Sequence, residues 1–221
     1  MLLEVCCGNR QSAINAAEAG APRIELCRDL PLGGLTPSYK DILFCQENLP
    51  LQTYVLIRPR GGDFCYNDEE FKKILSDIEF CRKHKIPGVV IGFLKPDFSI
   101  DVEKCRLALQ TAGSLQITFH RAFDRCKDWS TALEQIIDCG FYRILTSGQQ
   151  PTAPEGADTL ANIVKQAQRR ITILAGSGIS SENVTTLIQH THVDEVHASC
   201  KLNGDVSQID EIKAILQKLQ I

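Results

Sequence analysis

Nowhere in these 221 residues does a Cys-x-x-Cys occur, which removes zinc ribbons and thioredoxin-type redox pairs. Methionine is absent beyond Met1, so no thioether ligand is on offer to a soft metal. No apolar stretch approaches the roughly 20 residues that cross a bilayer, so no membrane partner is expected. Residues 1–7 lack the basic start, long apolar run and small-residue cleavage site of a secretory leader, and a cytoplasmic location is the expectation. An excess of cations is missing too. Lys and Arg number 24 against 27 Asp and Glu, a net charge of -3, which excludes a globally basic nucleic-acid binder and an acidic tail. Finally, no Gly-x-Gly-x-x-Gly follows the first β-type run, which speaks against a dinucleotide-binding open sheet.

What is present is a globular composition, 43% hydrophobic, with ten cysteines. A chain of this length buries a sizeable core and needs no disulfide staples. Cys45, Cys81, Cys105 and Cys139 fall in helical patterns among apolar neighbours and read as small buried hydrophobes. Short β-type runs at 2–6, 23–27, 53–58, 88–93, 116–120, 142–146, 171–175 and 195–198 alternate with helical patterns. The helical stretches are 12–19, 37–48, 69–85, 102–112, 130–139, 157–169, 182–190 and 208–219. Thr36 before Pro37, and Ser180 before residues 181–183, are start signals; Gly20, Gly113 and Gly140 are stop signals. Eight even βα units predict one compact α/β domain over 1–221, a (β/α)8 TIM barrel.

Residues alternate in and out along a barrel strand, and the outward ones must be apolar to meet the helices. Val5, Ile24, Leu26, Val196 and Ala198 take the outward face, which turns Glu4, Cys6, Arg23, Glu25, Cys27, Glu195, His197 and Ser199 inward. Leu56, Arg58, Thr118 and His120 also point in. Barrel interiors are ordinarily filled with branched apolar side chains, so this one is unusually polar. Buried charges must neutralise one another or meet a ligand. Arg23, Arg58 and Arg143 with Glu4, Glu25 and Glu195 could form a cross-barrel network.

Active sites of this fold sit at the C-terminal rim. There Cys6 and Cys27 end adjacent strands, which lie about 4.8 Å apart, and their thiols could hold Cu(I), form a disulfide or stay two buried thiols. Arg58 and Arg60, within Arg58-Pro59-Arg60-Gly61-Gly62, suit a carboxylate or phosphate. His120 is an acid–base candidate with Asp124 nearby, beside Glu4 and Glu25. Gly176, Ser177 and Gly178 lead into a helix where barrels build phosphate sites, and Ser147, Gly148, His197 and Ser199 complete the rim.

Glu4-Val5-Cys6, Arg23-Ile24-Glu25-Leu26-Cys27, Gly33-Gly34-Leu35-Thr36-Pro37-Ser38, residues 57–64, residues 118–124 and residues 143–148 together resemble the CutC family, named for copper homeostasis. The likeness runs from Leu3 to Ser199. It departs after the seventh strand, where Ser177 stands in place of the middle glycine of a frequent Gly-Gly-Gly-Ile. The resemblance implies a barrel, a cytosolic homodimer, and Cys6 and Cys27 as Cu(I) ligands. Three readings follow. One is a copper-binding protein; another is an enzyme acting by acid–base chemistry on a small anionic or phosphorylated metabolite; the third is a non-catalytic oligomer whose inward charges are structural.

Overall fold

A computed structural model describes residues 1–202 and 204–219; positions 203, 220 and 221 of the expected domain lie outside the described residues. Eight parallel strands close in sequence order into a barrel, which settles the choice against an open sheet. They are β1 (Leu2–Cys7), β2 (Arg23–Leu26), β3 (Gln52–Leu56), β4 (Gly88–Ile91), β5 (Gln116–Phe119), β6 (Arg143–Thr146), β7 (Thr172–Gly176) and β8 (Glu195–Ala198). The helices around them are α1 (Arg10–Glu18), α2 (Tyr39–Asn48), α3 (Asp68–Lys83), α4 (Val102–Ala112), α5 (Trp129–Cys139), α6 (Ala157–Ala167), α7 (Val184–Thr191) and α8 (Ile209–Leu219). Each predicted unit is present, with ends shifted by a few residues.

Helix ends follow local chemistry. Asn67 and Glu70 form a reciprocal capping box on α3, whose first turn carries three acids and whose last turn carries Arg82 and Lys83, matching the helix dipole. Gly140 closes α5 in the left-handed conformation at φ 94. Two expected starts are corrected. The α2 cap is Ser38, because the Thr36 hydroxyl already accepts the Arg58 amide at 2.8 Å. Helix α7 opens at Val184, because Ser181 is pinned to Glu211 of α8 by its amide and its hydroxyl.

The apolar core lies outside the barrel wall, between strands and helices. Leu3, Val5 and Cys7 of β1 join Ile24 and Leu26 of β2 in it, together with the inner faces of the helices. A much smaller apolar cluster, Cys6, Cys27, Tyr54, Leu56 and Val90, lies within the barrel interior. Cys45, Cys81 and Cys105 are buried as expected, whereas Cys139 is half-buried, a correction that reflects its place in the last turn of α5.

Candidate functional site

The deeper interior is an ion network. The register sets Glu4 on β1 beside Arg23 on β2 and beside His197 on β8. Arg23 Nε donates to Glu4 Oε2 at 2.6 Å, and its remaining nitrogens reach Glu195. Arg143 donates to Glu195 Oε2 at 2.6 Å and to the Thr118 hydroxyl at 3.1 Å. Both guanidinium groups lie over the Tyr54 ring, 5.1 and 5.3 Å from its centre, adding a cation–π contact on each. Two arginines thus balance two carboxylates. The predicted network is present for these four, but Arg58 and Glu25 stand outside it.

Above this layer, at the C-terminal ends of the strands, opens a cavity of about 480 Å³. Of the side chains singled out in the sequence, Cys6, Glu25, Arg58, His120, His197 and Ser199 line it, joined by the Ser177–Gly178 turn. A second cavity, about 570 Å³, lies at the N-terminal end of the barrel among Gly113, Tyr142, Arg170 and Asp194, and none of the predicted site residues reaches it. Active sites of barrels sit on the C-terminal face, so the smaller cavity is the candidate site.

Its walls carry polar atoms without partners among the described residues. Glu25 Oε2, His120 Nε2 and Arg58 Nε are buried and unbonded. Glu25 Oε1 receives only a long contact from the Cys6 thiol at 3.8 Å. Burial pushes the Glu25 carboxyl up to about 7, despite the opposing pull of His197. Burial, followed by the charge of Arg58, drives His120 down to about 3, so its ring is neutral. Burial would raise Glu4 as well, but Arg23, His197 and Arg143 together outweigh it and hold Glu4 at about 2. Burial opposes a charge on His197, yet its contacts with Cys6 and Glu4 win and raise its pKa well above the ordinary value. Its Nδ1 sits 2.8 Å from Glu4 Oε1. The contact with Cys27, then burial, raise the Cys6 thiol well above the ordinary cysteine range.

Two clusters could hold a metal. The ligand atoms of Cys6, Glu25 and Cys27 lie within 4.8 Å of one another, and so do those of Glu4, Glu25 and His197. Cys27 is buried just beneath the cavity wall and, like Cys6, is a free thiol.

Other predicted residues are drawn elsewhere. Arg60 turns away to Glu70 at 2.6 Å and Asp63 at 2.9 Å, at the start of α3. Asp124 accepts from the Ser147 amide and hydroxyl and the Gln149 amide, and pairs with Arg121 at 2.7 Å; it braces the loop after β6 and does not face His120. Ser147 is spent in that brace. Gly148, at φ 71, lets the loop close on Gly156, whose carbonyl oxygen would lie 2.3 Å from an added Cβ. Gly148→Ala should therefore lower the melting temperature, by ~1–3 kcal/mol of strain, while leaving the cavity intact; an unchanged melting curve would contradict this packing. Gly176 packs against Leu145 and His197 without lining the cavity. Arg58 lines it, but its terminal nitrogens are engaged by the carbonyls of Leu32, Gly34 and Gly62 at 2.8 to 3.0 Å.

Several lining residues were not among the site candidates read from the sequence: Phe64, Arg121, Ile179, Lys201, and Ser180, which was read only as a helix start. Lys201, two residues beyond Ser199, could have been found as a cation just past the last strand. Gly92 was also missed. An added Cβ there would lie 2.5 Å from His120 Nδ1, so a bare backbone at the end of β4 makes room for the ring.

The sequence profile of the CutC family matches residues 1–202. A family protein CutC from Vibrio vulnificus (strain YJ016) is 48% identical over 201 residues, covering 90% of this chain and 80% of that protein. One from Bacteroides fragilis (strain ATCC 25285) is 46% identical with the same coverage of both. A crystal structure of a CutC protein from Streptococcus agalactiae, named for copper homeostasis, superposes with a TM-score of 0.86 at 32% identity, covering 90% of this chain and 98% of that one. A match of this extent, on a barrel with the same fold, places the chain in the CutC family.

Proposed function

We propose that this protein takes part in copper homeostasis by binding Cu(I) through the thiolates of Cys6 and Cys27. The observation that supports it is the convergence of both sulfurs and a Glu25 carboxylate oxygen within 4.8 Å at the cavity floor. Two thiolates form a soft, low-coordination site of the kind Cu(I) favours over harder ions. Both thiols must lose their protons to bind, and the raised pKa of Cys6 makes that loss strongly pH-dependent. A cytosolic location and a homodimer complete the reading, supported by the family resemblance.

Competitive Cu(I) titration of the reduced protein tests it. Cys6→Ser and Cys27→Ser should each weaken binding by more than the roughly 10–100-fold that loss of an outer-shell partner costs. Affinity should rise by about tenfold per pH unit for each proton released. Binding that survives both substitutions, or that ignores pH between 6 and 8, would remove the thiolate pair from consideration.

A second reading is favoured by a separate observation. Glu25 Oε2 and His120 Nε2 are buried, unpartnered and on the wall of one cavity, which supports an enzyme acting on a small anionic or phosphorylated metabolite. A buried polar atom left unpaired costs about 1–3 kcal/mol, a penalty a bound molecule would remove. In that reading Glu25 moves the proton.

A further inference from the structure

We propose that the cavity binds a phosphorylated carbonyl compound, with its phosphate on the amides of residues 177–179 and on Lys201, and its carbonyl oxygen on the Nε2–H of an uncharged His120. The inference rests on the enzyme reading and gives it a substrate class.

The role of His120 follows from how the ring is held. It sits just past β5, in the extended backbone that precedes a short 3-10 turn (Arg121–Arg125). The Ala122 amide donates to Nδ1 at 3.1 Å. Nδ1 is therefore an acceptor, and a neutral imidazole must then carry its proton on Nε2. Gly92 leaves no side chain against one edge of the ring, and Phe64 packs against it with centres 4.8 Å apart. With Nδ1 engaged, Nε2–H is a buried donor with no partner among the described residues, on a ring that lines the cavity. Such a group polarises a carbonyl by donating a hydrogen bond aimed at the oxygen, and it does so without changing its protonation state.

The other end of the cavity is built for an anion. Ser177 and Gly178 both have left-handed φ, 81 and 71, and with Ile179 they line the cavity. The amides of residues 177, 178 and 179 have no acceptor among the described residues. The turn is anchored: the Ser177 hydroxyl donates to the Pro151 carbonyl at 2.8 Å, and Asn183 donates to the Gly178 carbonyl at 2.8 Å. Lys201 lines the same cavity and, among the described residues, has only a long ion pair, 3.8 Å, with Asp205. Amides plus one lysine suit a phosphate, the charge that backbone donors and an ammonium hold together. The donor at His120 then requires a second acceptor on the same molecule. A carbonyl oxygen supplies it.

Inorganic phosphate and dihydroxyacetone phosphate serve as probes, read by thermal shift and calorimetry on the full chain. Both should raise the melting temperature, with dihydroxyacetone phosphate the tighter by about tenfold. His120→Phe should remove that tenfold advantage and leave phosphate affinity unchanged, His120→Gln should keep part of it, and Lys201→Ala should weaken both ligands. In the intact protein, nitrogen-15 NMR should find His120 neutral at pH 5 to 8 with its proton on Nε2, and dihydroxyacetone phosphate should move that proton downfield. If phosphate binds but the carbonyl adds nothing, or if the ring carries its proton on Nδ1, the assignment of His120 is overturned and the anionic-metabolite reading stands. If neither probe binds, both are overturned.

Discussion

Arg23→Ala is expected to lower the unfolding free energy by about 3–5 kcal/mol, the range for removing one side of a buried ion pair. Arg23 is 2% exposed and bonds two carboxylates, Glu4 and Glu195. Its loss leaves Glu4 buried beside only His197, and leaves Glu195 to Arg143 alone. Urea unfolding at pH 7, compared with the unaltered protein, measures the effect. A loss under about 1 kcal/mol, the scale of an exposed pair, would mean that water reaches the deeper layer and that these charges are not sealed in.

Glu25→Gln has the opposite expected sign, and its size depends on pH. The Glu25 carboxyl has a pKa of about 7 in the folded protein against an ordinary 4.5. Below 4.5 both folded and unfolded chains carry the proton, and the residue takes nothing from stability. As pH rises from 4.5 through 7, the unfolded chain ionises first and the folded state loses up to about 3 kcal/mol. Glutamine cannot ionise, so the variant should match the parent near pH 4 and exceed it by up to that amount at pH 8. His120 runs the other way: its stability contribution is full above 6.5 and fades as pH falls toward 3, equally in parent and variant. It therefore cancels in the difference. A difference that does not change between pH 4 and 8 would refute the burial argument for Glu25. A stabilising substitution here also identifies a group retained at a cost to the fold, as binding sites often are.

The barrel was legible because its signal is periodic. Alternation along β1 and β2 sorts Val5, Ile24 and Leu26 from Glu4, Cys6 and Glu25 with no knowledge of the neighbours, and the register then sets Cys6 beside Glu25. The same rule put His120 and His197 on the cavity wall. Loop side chains obey no such rule. Arg60 and Arg58 flank one proline, yet Arg60 is captured by Glu70 on the following helix while Arg58 fastens two loops by their carbonyls. Asp124 lies four residues past His120, but the amides after β6 claim it first. Thr36 looked like a helix cap until the Arg58 amide took its hydroxyl. Each of these outcomes depends on which partner is nearest once the chain has closed.

The contact between Glu4 and His197 joins residues 193 positions apart, and Glu195 supplies the acid for Arg143. The last strand to leave the ribosome thus brings the counter-charges that the interior needs. A nascent chain halted before β8 holds Arg143 without Glu195 opposite it and an open edge on β1, so the synthesis of that one strand decides whether the cylinder shuts or waits, exposed, for a chaperone.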